Sequence, residues 1–296
     1  MRDAALQGLA VGFFDGVHLG HQAILKGADA ALTFRNHPLT VLAPEKAPRL
    51  IMSCEERVAT IRACGVENVE VLEFTPEFAE MSAEKFACDY LLAAKGRKEA
   101  QRILCGENWR FGKGGEGSAE FLRGMGIEVT VAPYAEYKGG RVSSSRIRAC
   151  LERGEIEDAN AMMGRRYQVS GIRFQGKGLG GKIGYPTVNL EISERESDEC
   201  GESPRIHLKR GVYEVEVDGV RAIANYGLAP TMGDEAWQTP VLEIHFLDDS
   251  PDSLNSRDSR SDVSVPILRF IRPERKFDSI DDLKRQIAAD CAKITA

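Results

Sequence analysis

Three clusters in this 296-residue chain hold residue types suited to handling phosphate. The first is Phe14-Asp15-Gly16-Val17-His18-Leu19-Gly20-His21. His18 and His21, three apart at a helix start, point the same way, where a helix N-terminus already favours an anion. Gly16 and Gly20 let the backbone approach a ligand closely. A pair of structural histidines is the plainer reading, but the cluster directly follows the apolar run Leu9 to Phe14, which favours the functional one. The second cluster is Arg141-Val142-Ser143-Ser144-Ser145-Arg146-Ile147-Arg148, three hydroxyls and then two arginines at a helix entry. By itself it reads as an N-cap followed by solvated arginines, yet hydroxyls, amides and guanidinium also build an anion pocket. Together the two clusters can grip opposite sides of one triphosphate, as adenylyl transfer requires. The third cluster, Gly176 to Asn189, is dense in glycine with Lys177 and Lys182, so that backbone N–H groups could curl round phosphates. An ordinary β-loop is its alternative. Glu243, in Leu242-Glu243-Ile244-His245, alone reads as an outward-facing strand glutamate.

The elements that must position these residues fall into two styles. Leu9 to Phe14, Ala31 to Phe34, Val69 to Leu72, Arg102 to Cys105 and Glu128 to Val131 read as strands. Helical patterns separate them at His21 to Lys26, Ser53 to Cys64, Ser82 to Ala94 and Glu116 to Gly124. Ser53 with Glu56 three residues on forms a capping-box signal. Such alternation predicts a parallel sheet with helices on both faces, whose ligand sits beyond the carboxyl ends of the strands. Two short helices follow, Arg146 to Arg153 and Glu155 to Met163, around Gly154. Then Tyr167 to Ile172, Gly211 to Val217, Val220 to Ala224, Val241 to Leu247 and Val263 to Phe270 alternate with period two, with Asp218-Gly219 as a hairpin turn. That pattern predicts a small β-barrel. A final helix from Ser279 to Ile294 places Ile280, Leu283, Ile287 and Cys291 on one face. The expected division is residues 1–150, a helical linker over 151–165, and 166–296.

Composition narrows the classes. Lys and Arg number 39 against 45 Asp and Glu, a net charge of −6, which argues against a broad surface for nucleic acid or anionic lipid. No apolar stretch is long enough to span a bilayer, Ala222 to Gly233 being the longest free of charge. The opening Met1-Arg2-Asp3-Ala4 lacks a signal-peptide pattern, so a cytoplasmic chain is expected. Seven cysteines without a Cys-x-x-Cys pair read as buried thiols in a reducing compartment, with neither disulfides nor zinc.

The paired histidine and serine-arginine clusters resemble the nucleotidyltransferase superfamily that shares such motifs with class I aminoacyl-tRNA synthetases. The string Gly12 to His21, with Asn36-His37-Pro38 and Gly106 to Gly112, is similar to the FAD synthetase module of bacterial bifunctional riboflavin kinase/FAD synthetases. Pro186-Thr187-Val188-Asn189 looks like the riboflavin kinase signature, and the likeness runs from about residue 9 to residue 294. It implies a Rossmann-like N-terminal domain and a six-stranded C-terminal barrel, making FMN from riboflavin and then FAD from FMN. His18 and His21 would contact the ATP phosphates within a pocket that includes Gly12, Phe14, Asp15 and Gly20. Ser144, Ser145 and Arg148 would hold the leaving pyrophosphate. Asn36, His37 and Asn108 would lie toward the flavin nucleotide, whereas Trp109 and Phe111 read as core packing or as flavin stacking. In the second half Gly176, Gly178, Gly184 and Thr187 would bind ATP, Thr187 and Asn189 would ligate Mg²⁺, and Glu243 would be the catalytic base.

The chain also departs from that pattern. The connection from His21 to Phe34 is short, leaving room for a helix of little more than two turns. Ser145 stands where the superfamily has threonine. Leu179, Gly181 and Ala229 replace residues that are often basic, and the Asp-x-Tyr-Gly stretch expected after Leu247 is absent. The alternative these changes suggest is adenylyl transfer alone, with a non-catalytic barrel. A nucleotide- or RNA-binding module without catalysis is disfavoured by the acidic balance. Small molecules (riboflavin, FMN, ATP) are the expected partners, with no nucleic acid and no membrane.

Overall fold

A computed structural model describes residues 8–92, 102–174, 187–192, 204–230, 238–246 and 262–295. The chain divides into two compact units, and the division falls after Ile147, with Pro204 and Arg205 belonging to the first unit.

The first unit is built on five parallel strands in the order β3-β2-β1-β4-β5: β1 (Leu9–Val11), β2 (Ala30–Phe34), β3 (Asn68–Leu72), β4 (Arg102–Gly106) and β5 (Glu128–Ala132). The order reverses between β1 and β4, so their carboxyl ends flank the crevice where such sheets take ligands. Buried on both faces, the central strands carry runs of apolar residues. Leu9, Val11, Leu32 and Ile103 pack on one side, and Ala10, Ala31 and Leu104 on the other.

The crossover from β1 to β2 is carried by the seven-residue α1 (Leu19–Leu25). It starts on the histidine motif itself, which is how so short a connection still returns antiparallel to the sheet. Next come α2 (Leu39–Leu42), α3 (Cys54–Ala63), α4 (Pro76–Ala79), α5 (Ala83–Phe86) and α6 (Ala119–Gly124). The capping box at Ser53 is formed, with reciprocal bonds of 3.2 and 2.9 Å to Glu56. The single helix expected from Ser82 to Ala94 instead ends its α-helical part at Phe86 and continues as a π-helical stretch, Ala87–Leu92. The helix placed from Glu116 begins at Ala119, because Ser118 accepts from the Phe121 amide and caps it there. A two-residue hairpin, β6 (Glu136–Tyr137) and β7 (Gly140–Arg141), precedes the serine cluster. The Arg146 guanidinium pins it by donating to the carbonyls of Tyr137 and Gly140 at 2.9 and 2.8 Å.

Arg57 on α3 is the largest fully buried side chain. Its guanidinium lies 4.2 Å from the centre of the Phe13 ring and donates to the carbonyls of Phe34 and Arg35 at the end of β2, at 2.5 and 3.2 Å. It thereby bolts α3 to the two loops that follow β1 and β2. Replacing it with Met removes charge-assisted bonds from buried carbonyls. The first unit should lose about 2–4 kcal/mol, read as a lowered denaturation midpoint.

The second unit opens with the rest of α7 (Ser144–Arg153) and with α8 (Ile156–Met163). Six antiparallel strands then close a barrel in the order β10-β11-β12-β9-β8-β13. They are β8 (Tyr167–Phe174), β9 (Thr187–Glu191), β10 (Gly211–Val217), β11 (Val220–Pro230), β12 (Gln238–Phe246) and β13 (Asp262–Pro273). Alternation sends Leu242, Ile244 and Phe246 of β12 into the barrel core and Glu243 and His245 to its outer face. The last helix, α9 (Ile280–Thr295), covers part of that outer face, packing Leu283, Ile287, Cys291 and Ile294 over Val212, Ile223 and Ile271. Ile280, expected on the same face, is instead exposed, since the first turn of α9 precedes the covered patch.

All six described cysteines are free thiols. Cys54, Cys105 and Cys150 are buried as expected, and burial pushes the Cys105 thiol up to about 11, but Cys64 and Cys88 are exposed.

Two candidate phosphate-handling sites

In the first unit, β1 ends at Val11 and the chain turns sharply before α1. Phe14, Gly16 and Val17 have φ of +58°, +79° and +37°, so two non-glycine residues occupy a strained region within four positions. Buried groups hold the turn in place. Asp15 is 2% exposed and accepts from the Ile51 amide at 3.0 and 3.2 Å, while Thr33 donates to the Phe13 carbonyl at 3.0 Å. A methyl group on Gly16 would stand 2.9 Å from Ile51 in a backbone conformation that side chains avoid.

His18 caps α1: its Nδ1 accepts from the His21 backbone N–H at 3.3 Å. A neutral ring whose Nδ1 accepts carries its proton on Nε2. The imidazoles of His18 and His21 stack with centroids 3.6 Å apart, and Phe14 meets His21 edge-on at 5.4 Å. Gly20 leaves room for the His18 ring, since a Cβ there would lie 3.2 Å from it.

The serine cluster is joined to this turn directly. Ser143 accepts from the Arg146 N–H and caps α7, and Ser144 Oγ donates to the Asp15 carbonyl at 2.8 Å. The histidine turn and the start of α7 therefore meet in one place. Ser145 is exposed at the helix entry, and Arg148 follows Ser144 by four residues on the same helix.

The remaining residues picked out in this half divide into two kinds. His37 lies past the end of β2, its Nδ1 accepting from the Leu39 N–H at 3.1 Å and its ring edge-on to Phe13 at 4.8 Å. Asn108 is exposed beyond the end of β4. Asn36 and Phe111 are framework. The Asn36 amide exchanges two 2.9 Å bonds with the Phe74 backbone and donates to Thr40, clamping the loop that carries His37. Phe111 is 7% exposed, stacked on Trp109 at 4.5 Å and packed against Phe86 and Phe121.

In the second unit, strand register assembles the site. Residues opposite one another on paired strands face the same way. One outward row runs Val212, Asn225, Glu243, Asn189, and the next runs Glu214, Ile223, His245, Thr187. Glu243 is thus directly opposite Asn189 and diagonal to Thr187. A hydroxyl, an amide and a carboxylate thus share one patch of barrel surface. Gly176, Gly178 and Gly184, with Leu179 and Gly181, lie outside the described residues.

Beside this patch a cavity of about 560 Å³ opens between the barrel and α9, lined by Glu243, His245, Asn225, Phe277 and the apolar Ile223 and Ile287 among others. Two buried acids fasten α9 above it. Asp290, fully buried, accepts from Arg272 at 2.7 Å and from Gln286 at 2.9 Å. Glu214 pairs with Arg269 and Arg221, which in turn donate to the Lys293 and Ile294 carbonyls at the C-terminus of α9. Neither buried acid stood out in the sequence, because in isolation each reads as a surface residue.

Burial holds the His245 imidazole below its ordinary value of 6.5, with the Glu243 carboxylate opposing the shift. The folded chain thus binds a proton there less readily than the unfolded one. Stability of the second unit should fall as pH drops below about 6.5, and His245→Phe should flatten that part of the pH–stability curve.

Comparison with known proteins gives a consistent picture. Residues 3–146 match the FAD synthetase family and residues 163–296 match the riboflavin kinase family. Over 95% of its length the chain is 31% identical to the bifunctional riboflavin kinase/FMN adenylyltransferase of Listeria monocytogenes, covering 89% of that protein. The same identity and coverage of this chain hold for the proteins of that name from Escherichia coli (strain K12) and Bacillus subtilis, covering 90% and 89% of them. A crystal structure of a protein named macrolide-efflux protein, from Streptococcus pneumoniae, superposes with a TM-score of 0.79 at 28% identity, covering 97% of this chain and 93% of that one. Efflux belongs to that protein's name. Among the described residues here, no helix is long and apolar enough to cross a membrane.

Proposed function

The chain belongs to the bifunctional riboflavin kinase/FMN adenylyltransferase family, and from that premise we propose which residues serve each reaction. Its two activities are phosphorylation of riboflavin by ATP to give FMN, and transfer of AMP from ATP to FMN to give FAD and pyrophosphate. The adenylyl-only alternative gives way to this reading because both halves match their families.

The second reaction is assigned to the first unit. An FMN phosphate oxygen attacks the α-phosphorus of ATP and the bond to pyrophosphate breaks. The nucleophile is already an anion, so alignment and charge stabilisation suffice and no strong base is needed. His18 donates from Nε2, the nitrogen its cap leaves protonated, and His21 stacks beside it, both toward charge developing on the α-phosphate. Ser144, Ser145 and Arg148 receive the pyrophosphate. Gly12, Phe14, Asp15 and Gly20 shape the turn round the nucleotide. His37 and Asn108 face the flavin nucleotide, with Asn36 holding the loop under the one and Phe111 the core beneath the other.

The first reaction is assigned to the barrel. The terminal hydroxyl of the ribityl chain is a poor nucleophile until its proton is taken, and Glu243 accepts it as the hydroxyl oxygen attacks the γ-phosphorus, the bond from that phosphorus to the β-phosphate oxygen breaks and ADP leaves. Thr187 and Asn189 would hold Mg²⁺, for which two neutral oxygen donors side by side are a fitting protein share. Nucleotide phosphates and water would complete the shell, as suits an ion that keeps much of its water. When bound, the ion neutralises phosphate charge. Gly176, Gly178 and Gly184 complete the nucleotide cradle in this proposal. Free thiols and ATP as co-substrate fit a reducing cytoplasmic setting.

The observation that carries this assignment is the register pairing of Glu243 with Asn189, a second chemical centre independent of the histidine turn. Incubation with riboflavin, ATP and Mg²⁺ and chromatographic separation of the flavins tests it. FMN should appear first and FAD after it. FAD formed only when FMN is supplied would remove the kinase assignment.

A further inference from the structure

Among the described residues on the outer face of β12, His245 is the one that faces the cavity beside Glu243 without a role in the chemistry above. It is two positions along the same strand, so its Cβ lies about 7 Å from that of Glu243 on the same side. Its neighbours across the sheet are Thr187 on one side and Ile223 on the other. It lines the same cavity as Glu243, Ile223 and Ile287. Its Nδ1 is buried and has no hydrogen-bond partner among the described residues. A buried polar atom in that condition costs about 1–3 kcal/mol, a cost a native site tolerates when a ligand supplies the missing partner.

The position says what kind of group the partner is. The cavity has an apolar end, where Ile223 meets Ile287 under α9, and a polar end at Glu243. A substrate with an apolar ring system joined by a chain of alcohols to a reactive terminal hydroxyl matches that polarity. His245 stands between the two ends, where the middle of such a chain passes. In a neutral imidazole Nδ1 is either a donor or an acceptor according to tautomer. A hydroxyl can answer both, whereas a phosphate oxygen can only accept.

We infer that His245 is a specificity-determining residue of the kinase site, its Nδ1 hydrogen-bonding an inner hydroxyl of the polyol chain whose terminal hydroxyl Glu243 deprotonates. The inference rests on the assignment of Glu243. It goes further by making chain hydroxyls that never react part of what the barrel recognises. The unpaired nitrogen penalises a flavin with a bare alkyl chain, because such a ligand buries Nδ1 and leaves it unsatisfied.

The test uses the full-length protein and two alcohols, riboflavin and a flavin with an ω-hydroxyalkyl chain bearing only the terminal hydroxyl. The wild-type chain should phosphorylate riboflavin with a kcat/KM higher than that for the alkyl analogue. His245→Phe should lower kcat/KM for riboflavin by about 10–100-fold and leave the value for the analogue within about twofold. His245→Asn, whose short amide reaches the position of Nδ1, should retain most of the discrimination. Equal losses on both alcohols, or a His245→Asn chain no better than His245→Phe, would overturn the inference in favour of a purely structural role. FAD formation from supplied FMN reports folding of the first unit, and circular dichroism of the barrel identifies a variant that has failed to fold, for which His245→Asn then decides. Full kinase activity in Glu243→Gln would instead remove the base assignment, an outcome distinct from the discrimination ratio.

Discussion

A chain carrying His21→Ala is expected to go on making FMN while FAD formation falls by about 10²–10³-fold. The His21 imidazole stacks on that of His18 at 3.6 Å between centroids, and both sit at the start of α1 beyond the central strand. Alanine removes the ring but keeps the backbone N–H that His18 accepts, so the cap on α1 and the tautomer of His18 survive. What is lost is a donor whose bond strengthens as charge gathers on the α-phosphate, which places the deficit in kcat more than in KM. Rates measured separately from riboflavin and from supplied FMN check this. Loss of both products in proportion would contradict the separation of the two sites.

Glu243→Gln should do the reverse. The amide keeps the size and outward direction of the side chain, and the core neighbours Leu242 and Ile244 point the other way, so the barrel folds unchanged. The amide cannot take the proton of the attacking alcohol, and kcat for FMN formation should fall by about 10²–10⁴-fold. FAD formation from supplied FMN should continue at the wild-type rate. A variant that still phosphorylated riboflavin normally would mean that the base lies elsewhere on the barrel.

Much of this arrangement was legible in the sequence where local pattern and global fold agree. The alternation of apolar runs and helices gave a parallel sheet, and period-two stretches gave a barrel, because burial on two faces or on one leaves those signatures directly. The histidine turn was legible for the same reason, standing where strand hands over to helix. Other features depend on contacts distant in sequence and left no local trace. β9 was hidden because Thr187 to Glu191 follows a glycine-dense run that reads as loop, and only pairing with β12 and β8 makes it a strand. Arg57 sits among charged neighbours on α3 and reads as solvated, yet tertiary packing buries it against Phe13. Asn36 has the chemistry of a ligand contact, but its amide is engaged by Phe74, 38 residues away. His245 was visible only as the alternate residue of a strand, and its surroundings come from α9 and from two other strands.

The central claim is that each unit acts on a different phosphorus atom of ATP. It is tested most directly by supplying riboflavin with ATP labelled at either the γ- or the α-phosphorus and separating the flavin products. Label from the γ position should appear in FMN and persist in FAD, and label from the α position should enter FAD alone. FMN without γ label, or FAD without α label, would contradict the account.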